Sequence, residues 1–564
     1  MKKPADLVFG VEERPPALDC VVVAVQHVGA IAVNFVYPLL LARRAGLSAE
    51  SAADMLSIGM AVLAVAVLLQ AIPRGPIGCH YLAPMVYASP YLAPGFLAIE
   101  MGGMPLFWGM TIVAGAATLV FASVWDRLRT FIPSETAGLV VLLVGATIGL
   151  AALRLLHQDD GTVGAVEAGV TLLTLAVMVA LNIWSKGRLR LFCILIGIIV
   201  GYVVALASGV IATDKLLSLA SLPFLAVPHI GHMAWSFDAT LVVPFAVTAL
   251  AVAMTTTAIV TTYQRVTDAD WVRPDMRIIS SGIRGDAVST ILAGSACTFG
   301  VAIGPANAGL VAATGVASRV IAYPIAAILL LAAAQPAFAG LLTLMPAPVM
   351  AAGLLFPAAF IMLSGVQIIS SRVIDARRTL VIGAGLLTFL LVAVFPRTFA
   401  GAPYWLQPVV GSPLVLATIV ALALNLVFRI GIKRSAEMRI APAALQLDEV
   451  ENFIELNAGG WGARRDVIAR VKLALQQAIE AVIEYWDRKH SISLVMTYDE
   501  LDIGAKLIYG GERLELPDAP LSKDQILEPG GHRRLAGFLI KRQADKVEST
   551  VKDGICVLAL HFRQ

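Results

Sequence analysis

The sequence predicts an all-α polytopic membrane protein with fourteen transmembrane segments in two inverted sets of seven, followed by a small α/β domain. Three observations predict it. Mean hydropathy is +0.81 with only 14% charged residues, too few charges for a soluble chain of 564 residues. Apolar windows of spanning length recur from Cys20 to about Ile430. Two stretches at matching places, Gly75–Pro84 and Gly300–Asn307, are too rich in Gly and Pro to be plain helices.

The first set runs Leu18–Ala42, Met55–Ile72, Ile77–Gly95, Pro105–Trp125, Ser134–Leu153, Val163–Trp184 and Leu191–Ile211. The second runs Thr240–Thr262, Ala287–Phe299, the broken stretch Phe299–Arg319, Val320–Gln335, Leu341–Leu363, Leu380–Phe395 and Pro413–Phe428. With the N-terminus inside, 21 Lys and Arg fall in inner segments of residues 1–440 and 5 in outer ones, which places both termini in the cytoplasm. A missed span would reverse that pattern downstream. The chain therefore divides into 1–430 (repeats 17–213 and 238–430), a basic linker 431–446 and a tail 447–564. Residues 1–440 hold 26 Lys and Arg against 20 Asp and Glu, and residues 441–564 hold 16 against 19. The basic excess of the membrane part follows from orientation and calls for no nucleic-acid partner. The cysteines Cys20, Cys79, Cys193, Cys297 and Cys556 are scattered without a CxxC pair, so neither a disulfide framework nor a metal site is expected. Met1–Asp19 carries charges and a Pro-Pro step and shows no cleavable signal.

An odd number of spans per set gives the sets opposite topology. Matched broken segments in inverted repeats point to a midplane binding site, and half-helix ends bring a positive field to it. In the second, the sequence predicts an extended Val301–Ile303 and a half-helix starting near Ala306 with Asn307 as cap. The third segment is expected to hold a short strand in the same way. Polar residues inside spans are few, which makes each a candidate. Gln26 and His27 lie in the first span, Thr255, Thr256, Thr257, Thr261 and Thr262 in the eighth, and Asn307 in the tenth. His27 reads as a ligand or as a bond across helices, and the threonines as ligands or as groups bonded to the preceding turn.

Residues 17–430 resemble the nucleobase–ascorbate transporter family, the xanthine/uracil permeases. The likeness is carried by Ser281-Gly-Ile-Arg-Gly-Asp286, Ile291-Leu-Ala-Gly294, Asn307-Ala-Gly-Leu-Val-Ala-Ala-Thr-Gly-Val-Ala-Ser-Arg319 and the Gln26-His27 pair. The resemblance implies 7+7 inverted repeats, a core domain holding the site, a gate domain, a homodimer, and transport of bases or ascorbate with H⁺ or Na⁺. This chain departs from the pattern where the family holds its base. The usual Glu of the eighth span falls on Thr255, a later Asp on Ile259, and the acid or amide before Asn307 is Ala306. Gln26, His27, Thr255, Thr256, Ala306 and Asn307 are then the expected substrate-binding residues. Asp286, at the edge of the ninth span, is expected in an ion pair with Arg284 or Arg319.

In the tail, Val467–Trp486 is an amphipathic helix, Ile492–Tyr498, Lys506–Tyr509 and Val557–Phe562 are strands, and Arg533–Ala544 is a helix. The tail resembles a degenerate GHKL ATPase domain of the anti-sigma-factor kinase type. Glu480 stands at the acidic N-box position and Gly531–Ile540 at the last glycine box. The Asn that would bind Mg²⁺ falls on Glu484, and no Asp stands near Tyr509-Gly510-Gly511 to read adenine. The expected role is regulation or binding of a cytoplasmic protein, without ATP, a metal or another cofactor and without enzymatic activity.

The reading is an inner-membrane, multi-pass secondary transporter of a nucleobase-like or other small polar solute. The alternatives are an anion transporter of the same architecture, favoured by the lost acids, or a non-transporting sensor that signals through the tail.

Overall fold

In a computed structural model the chain is described at residues 3–5, 7–128, 134–157, 162–185, 192–211, 223–229, 234–271, 274–370, 374–403, 405–428, 434–440, 447–483, 486, 491–499, 502–517, 528, 530–552 and 554–563. It divides into two units, 1–129 with 137–366 and 384–420, and 130–136 with 367–383 and 421–564.

The membrane part is helical. In chain order come α1 (Ala17–Ala32), α2 (Val36–Arg44), α3 (Ala49–Gln70), a strand β1 (Met85–Tyr87), α4 (Leu92–Leu128), α5 (Ser134–Leu156), α6 (Ala165–Trp184) and α7 (Cys193–Ala207). After them come α8 (Val242–Thr267), α9 (Met276–Ser295), a strand β2 (Val301–Ile303), α10 (Pro305–Thr314), α11 (Ala322–Ala333), α12 (Pro336–Thr343), α13 (Ala347–Ile369), α14 (Ala376–Val394), α15 (Gln407–Val410) and α16 (Pro413–Phe428). Among the described residues, eight helices are long and apolar enough to cross a membrane, or nine if the pair bent by 79° at Ala333–Pro336 is one span. Two further apolar helices, Cys193–Ala207 and Pro413–Phe428, are shorter. α4 turns at Gly102–Gly103, where Gly103 has φ +71°, and this separates the expected third and fourth segments.

α9 starts at Met276, eleven residues before the expected boundary at Ala287. Asp275 accepts from the Arg277 N–H at 2.8 Å and caps it. Polar Arg277, Ser280, Ser281 and Arg284 in its first turns had read as loop. α9 crosses α4 at two glycines. A Cβ on Gly115 would lie 2.8 Å from Ile291 N, and one on Gly294 would lie 2.8 Å from Ile112 N. Small residues at that crossing let the backbones touch, as in close-packed membrane helices.

The second unit holds the tail. Its sheet is antiparallel, in the order β3 (Arg434–Ile440), β4 (Ile492–Tyr498), β5 (Asp502–Gly510), β7 (Ile555–Arg563), β6 (Lys546–Lys552). Helices α17 (Leu447–Gly460), α18 (Arg465–Ile483) and α19 (Gly531–Gln543) share a core with it, including Val471, Leu475, Ile479, Leu494, Leu507 and Leu558. β3 pairs with β4 in the register Arg434↔Tyr498 to Ile440↔Ile492, so Arg434–Ile440, expected to be linker, is an edge strand. Residues 431–433 and 441–446 of that linker, and Glu484, lie outside the described residues.

The same unit contains a buried ion pair. Arg378 Nε, at the start of α14, donates to Glu135 Oε1 at 3.1 Å, and both side chains are 4% exposed. Arg378 Nη2 lies 3.3 Å from Tyr498 Oη, and Trp461 stacks on that tyrosine with ring centroids 5.9 Å apart. Gly462 has φ +79°, and a Cβ added there would meet the Arg378 guanidinium.

Candidate functional site

The two broken segments meet. β1 and β2 form an antiparallel ribbon with Met85↔Ile303, Val86↔Ala302 and Tyr87↔Val301 in register. Ala88 N–H donates to Gly300 O at 2.9 Å, and Gly304 N–H donates to Pro84 O at 3.0 Å, which closes both ends of the ribbon. All six strand residues are buried. Non-helical backbone survives at such depth because each strand satisfies the other. Antiparallel pairing sends the chain from opposite ends of the ribbon into α4 and into α10, so the two helix starts flank it.

Pro305 opens α10 at the position where its missing N–H costs nothing, with Gly304 as the N-cap. Gly315 closes the helix at φ +67°. Asn307 is therefore not the cap that its spacing suggested. It stands in the first turn, fully buried, and its side chain leaves the helix. Asn307 Nδ2 donates to Pro84 O at 3.1 Å, and Oδ1 lies 2.9 Å from His27 Nδ1. A backbone carbonyl only accepts, so Nδ2 is the atom facing Pro84 and Oδ1 is the acceptor facing His27. His27 Nδ1 then carries the proton and donates, and Nε2 is left as a bare acceptor.

That acceptor has no partner. His27 is fully buried, and neither its Nε2 nor Gln26 Oε1 has a hydrogen bond. Buried polar atoms are nearly always satisfied, so these two acceptors on α1 are candidates for contact with a ligand.

A second cluster sits across β2. Asp286, fully buried on α9, accepts at Oδ1 from Gln70 Nε2 at 3.0 Å and from Ile303 N–H at 3.2 Å, and at Oδ2 from the Thr256 hydroxyl. Gln70 also donates to Gly282 O at 3.1 Å and accepts from Cys79 N–H at 2.9 Å. Asp286 thus holds the strand of the broken segment. It pairs with neither arginine. Arg284 Nη1 reaches Pro76 O at 3.4 Å, and Arg319 pairs with Glu12. The expected ion pair fails because Asp286 lies inside α9, whose earlier start moves it from the edge of a span to the middle of one.

Among the expected site residues, the structure joins His27 and Asn307, and Gln26 is buried beside His27 in the sequence of α1. Thr256 belongs to the Asp286 cluster. Thr255 bonds back to Ala251 O at 3.0 Å, and Thr257, Thr261 and Thr262 bond back in the same way. Ala306 is exposed in the first turn of α10. Sequence reasoning missed Pro84, Gln70 and the depth of Asp286. A lone amide closing the second apolar run was the available signal for Gln70. No group of three His, Cys, Asp or Glu that could hold a metal ion occurs among the described residues.

The chain is similar to known proteins over most of its length. The model of the permease family that covers xanthine and uracil permeases matches residues 18–398. Xanthine permease XanP of Escherichia coli (strain K12) is 26% identical over 444 residues, covering 75% of this chain and 95% of that one. Xanthine permease XanQ of the same strain is 26% identical over 472 residues, covering 79% and 98%. The xanthine permease of Bacillus subtilis (strain 168) is 24% identical over 425 residues, covering 72% and 93%. Among solved structures, the transmembrane domain of a cyanobacterium bicarbonate transporter, BicA, aligns with a TM-score of 0.44 at 12% identity, over 74% of this chain and all of that one. The relatives are transporters and not enzymes. With the family's model spanning most of its membrane part, the chain belongs to the xanthine/uracil permease family.

Proposed function

We propose that the chain is a secondary transporter of a nucleobase of the xanthine/uracil type, working by alternating access at the β1–β2 crossing. The observation that carries this is the pair of open, buried acceptors, Gln26 Oε1 and His27 Nε2, beside Asn307. A purine dione or pyrimidine dione presents N–H donors at its ring edge, and buried acceptors select for them. Named relatives carrying xanthine support the same class. The anion reading rested on a site without acids. Asp286, bonded to the strand of the second broken segment, puts a carboxylate there, and open acceptors repel an anion. The direct reading keeps fourteen spans in 7+7 inverted repeats, divided as 17–213 and 238–430, with both termini in the cytoplasm and a homodimer as the working form. The base is held by Gln26, His27, Asn307 and the α10 start at Ala306, with Thr255 and Thr256 along α8. Asp286 is the one fully buried carboxylate among the described residues and the natural group to couple transport to H⁺. The tail acts as a regulatory module that contacts a cytoplasmic protein. Its order of one strand, two helices, two strands, one helix and two strands suits a degenerate GHKL-like domain.

Uptake of radiolabelled xanthine by proteoliposomes tests the proposal. Saturable uptake that excess unlabelled xanthine or uracil abolishes, and that sulfate and bicarbonate leave unchanged, is expected. Uptake of labelled sulfate with none of xanthine would overturn it.

A further inference from the structure

At the other end of α9, away from the strand crossing, a cavity of about 400 Å³ opens between α9, the end of α4 and the loop that follows α3. Its α9 wall is a polar stripe, Arg277, Ser280, Ser281 and Arg284. The spacing i, i+3, i+4, i+7 puts all four on one helix face, two turns long. The loop wall is Gly75, Pro76 and His80. His80 is held in the left-handed region at φ +65°, where a non-glycine residue is strained. Its Nδ1 lies 2.7 Å from Ile72 O, so Nδ1 carries the proton and that edge of the ring is fixed.

The third wall is the end of α4, with Ser123 and Trp125. Trp125 is 2% exposed, and its indole N–H has no hydrogen-bond partner. The two guanidiniums are committed only weakly. Arg284 spends one N–H on Pro76 O at 3.4 Å, and Arg277 is exposed. Among the described residues, no Asp or Glu lines the cavity. A wall of donors that includes two arginines and no carboxylate recognises a phosphate group.

The flank of the cavity indicates where that phosphate comes from. On the turns of α4 leading to Trp125, Leu119, Val120 and Val124 are 39%, 62% and 43% exposed. Exposed aliphatic side chains on a membrane helix, leading into a basic cavity at the helix end, fit acyl chains below a headgroup. A soluble phosphate would leave them without a role.

We infer that this cavity binds the phosphate of an anionic phospholipid, with Arg277 and Arg284 as donors, the Trp125 ring in its wall and the exposed face of α4 against the acyl chains. The site is separate from the transport site and does not depend on which base is carried. Its loop wall touches the transport cluster, since Gly78 N–H donates to Ser281 O and His80 N–H to Gln70 O.

Native mass spectrometry of the full chain after mild delipidation tests this, with phosphatidylglycerol, phosphatidylcholine and inorganic phosphate as probes. The wild type is expected to keep one phosphatidylglycerol and to exchange it for neither of the others. Arg277→Gln with Arg284→Gln should lose it, and Arg397→Gln, a charge removed elsewhere, should not. Equal retention by the double variant would overturn the site. Displacement of the lipid by millimolar inorganic phosphate would overturn the lipid as the source. Should the double variant fail to fold, thermal shifts of delipidated wild type decide the matter. Saturable stabilisation by phosphatidylglycerol and none by phosphatidylcholine is expected, and equal stabilisation by both would contradict the inference.

Discussion

Two buried polar clusters, one in each unit, differ in how completely they are paired. In the tail-bearing unit, Glu135, Arg378 and Tyr498 leave no buried side-chain polar atom without a partner. At the strand crossing, His27 and Asn307 are buried as deeply, yet His27 Nε2 and the neighbouring Gln26 Oε1 stay open. Thr136 Oγ1, next to Glu135, is also unpartnered, so the proposal for the strand crossing rests on the open ring nitrogen of His27 together with the Asn307 contact that fixes its tautomer. Burial alone therefore does not separate the two roles.

Substitutions can break this contrast. Asn307→Ala is expected to have the largest effect on transport. It strips the partner from His27 Nδ1, and with it the group that fixes the tautomer, at about 1–3 kcal/mol per buried group left unpaired. Xanthine uptake should vanish while the amount of folded protein in the membrane holds. Normal uptake would remove Asn307 from the site.

Arg378→Ala should do the reverse. It leaves Glu135 buried without its charge partner, which costs about 3–5 kcal/mol. Chemical denaturation should show that loss, whereas paired replacement by Arg378→Met with Glu135→Leu should restore stability. Should the double change be as unstable as the single one, the closed cluster would have a role beyond pairing.

Asp286→Asn keeps the shape of its cluster and removes the charge. The bonds from Gln70, Thr256 and the Ile303 N–H depend on acceptors. We expect folded protein whose uptake no longer responds to an imposed pH gradient. Uptake with unchanged pH dependence would take Asp286 out of coupling.

The smallest effect belongs to the tail. Burial, with Asp499 adding to it, raises the Asp502 pKa above its usual value. Its folded pKa then exceeds the unfolded one, so the folded tail binds the proton more tightly. Stability is greatest below the unfolded pKa and falls as pH rises through the folded one. Asp502→Asn should flatten that slope and slightly stabilise the chain at neutral pH, as thermal unfolding across pH 3–7 would show.

Much of this was legible in the sequence because it follows from local chemistry. Gly300–Gly304 could not be helix, and Val301–Ile303 is the strand that the spacing predicted. The alternation of Ile492–Tyr498 likewise named β4 to the residue. What escaped has a common cause. The tail strands that went unread, β3 and β6, are the two edges of the sheet, where outward charges such as Arg434, Glu437, Lys546 and Glu548 blur the pattern of two. α9 was cut short because its polar stripe faces a cavity and not lipid. Asn307 was legible as important but not in its role, since a cap and a ligand share one residue type and only the partner tells them apart.

The most direct test of the open acceptors is inhibition of labelled xanthine uptake by xanthine and its N-methylated forms in proteoliposomes. A methyl that replaces an N–H facing Gln26 or His27 should weaken inhibition by at least about 100-fold, and Gln26→Leu should narrow that difference. Equal inhibition by every methylated form, in wild type and variant alike, would show that these acceptors do not hold the base.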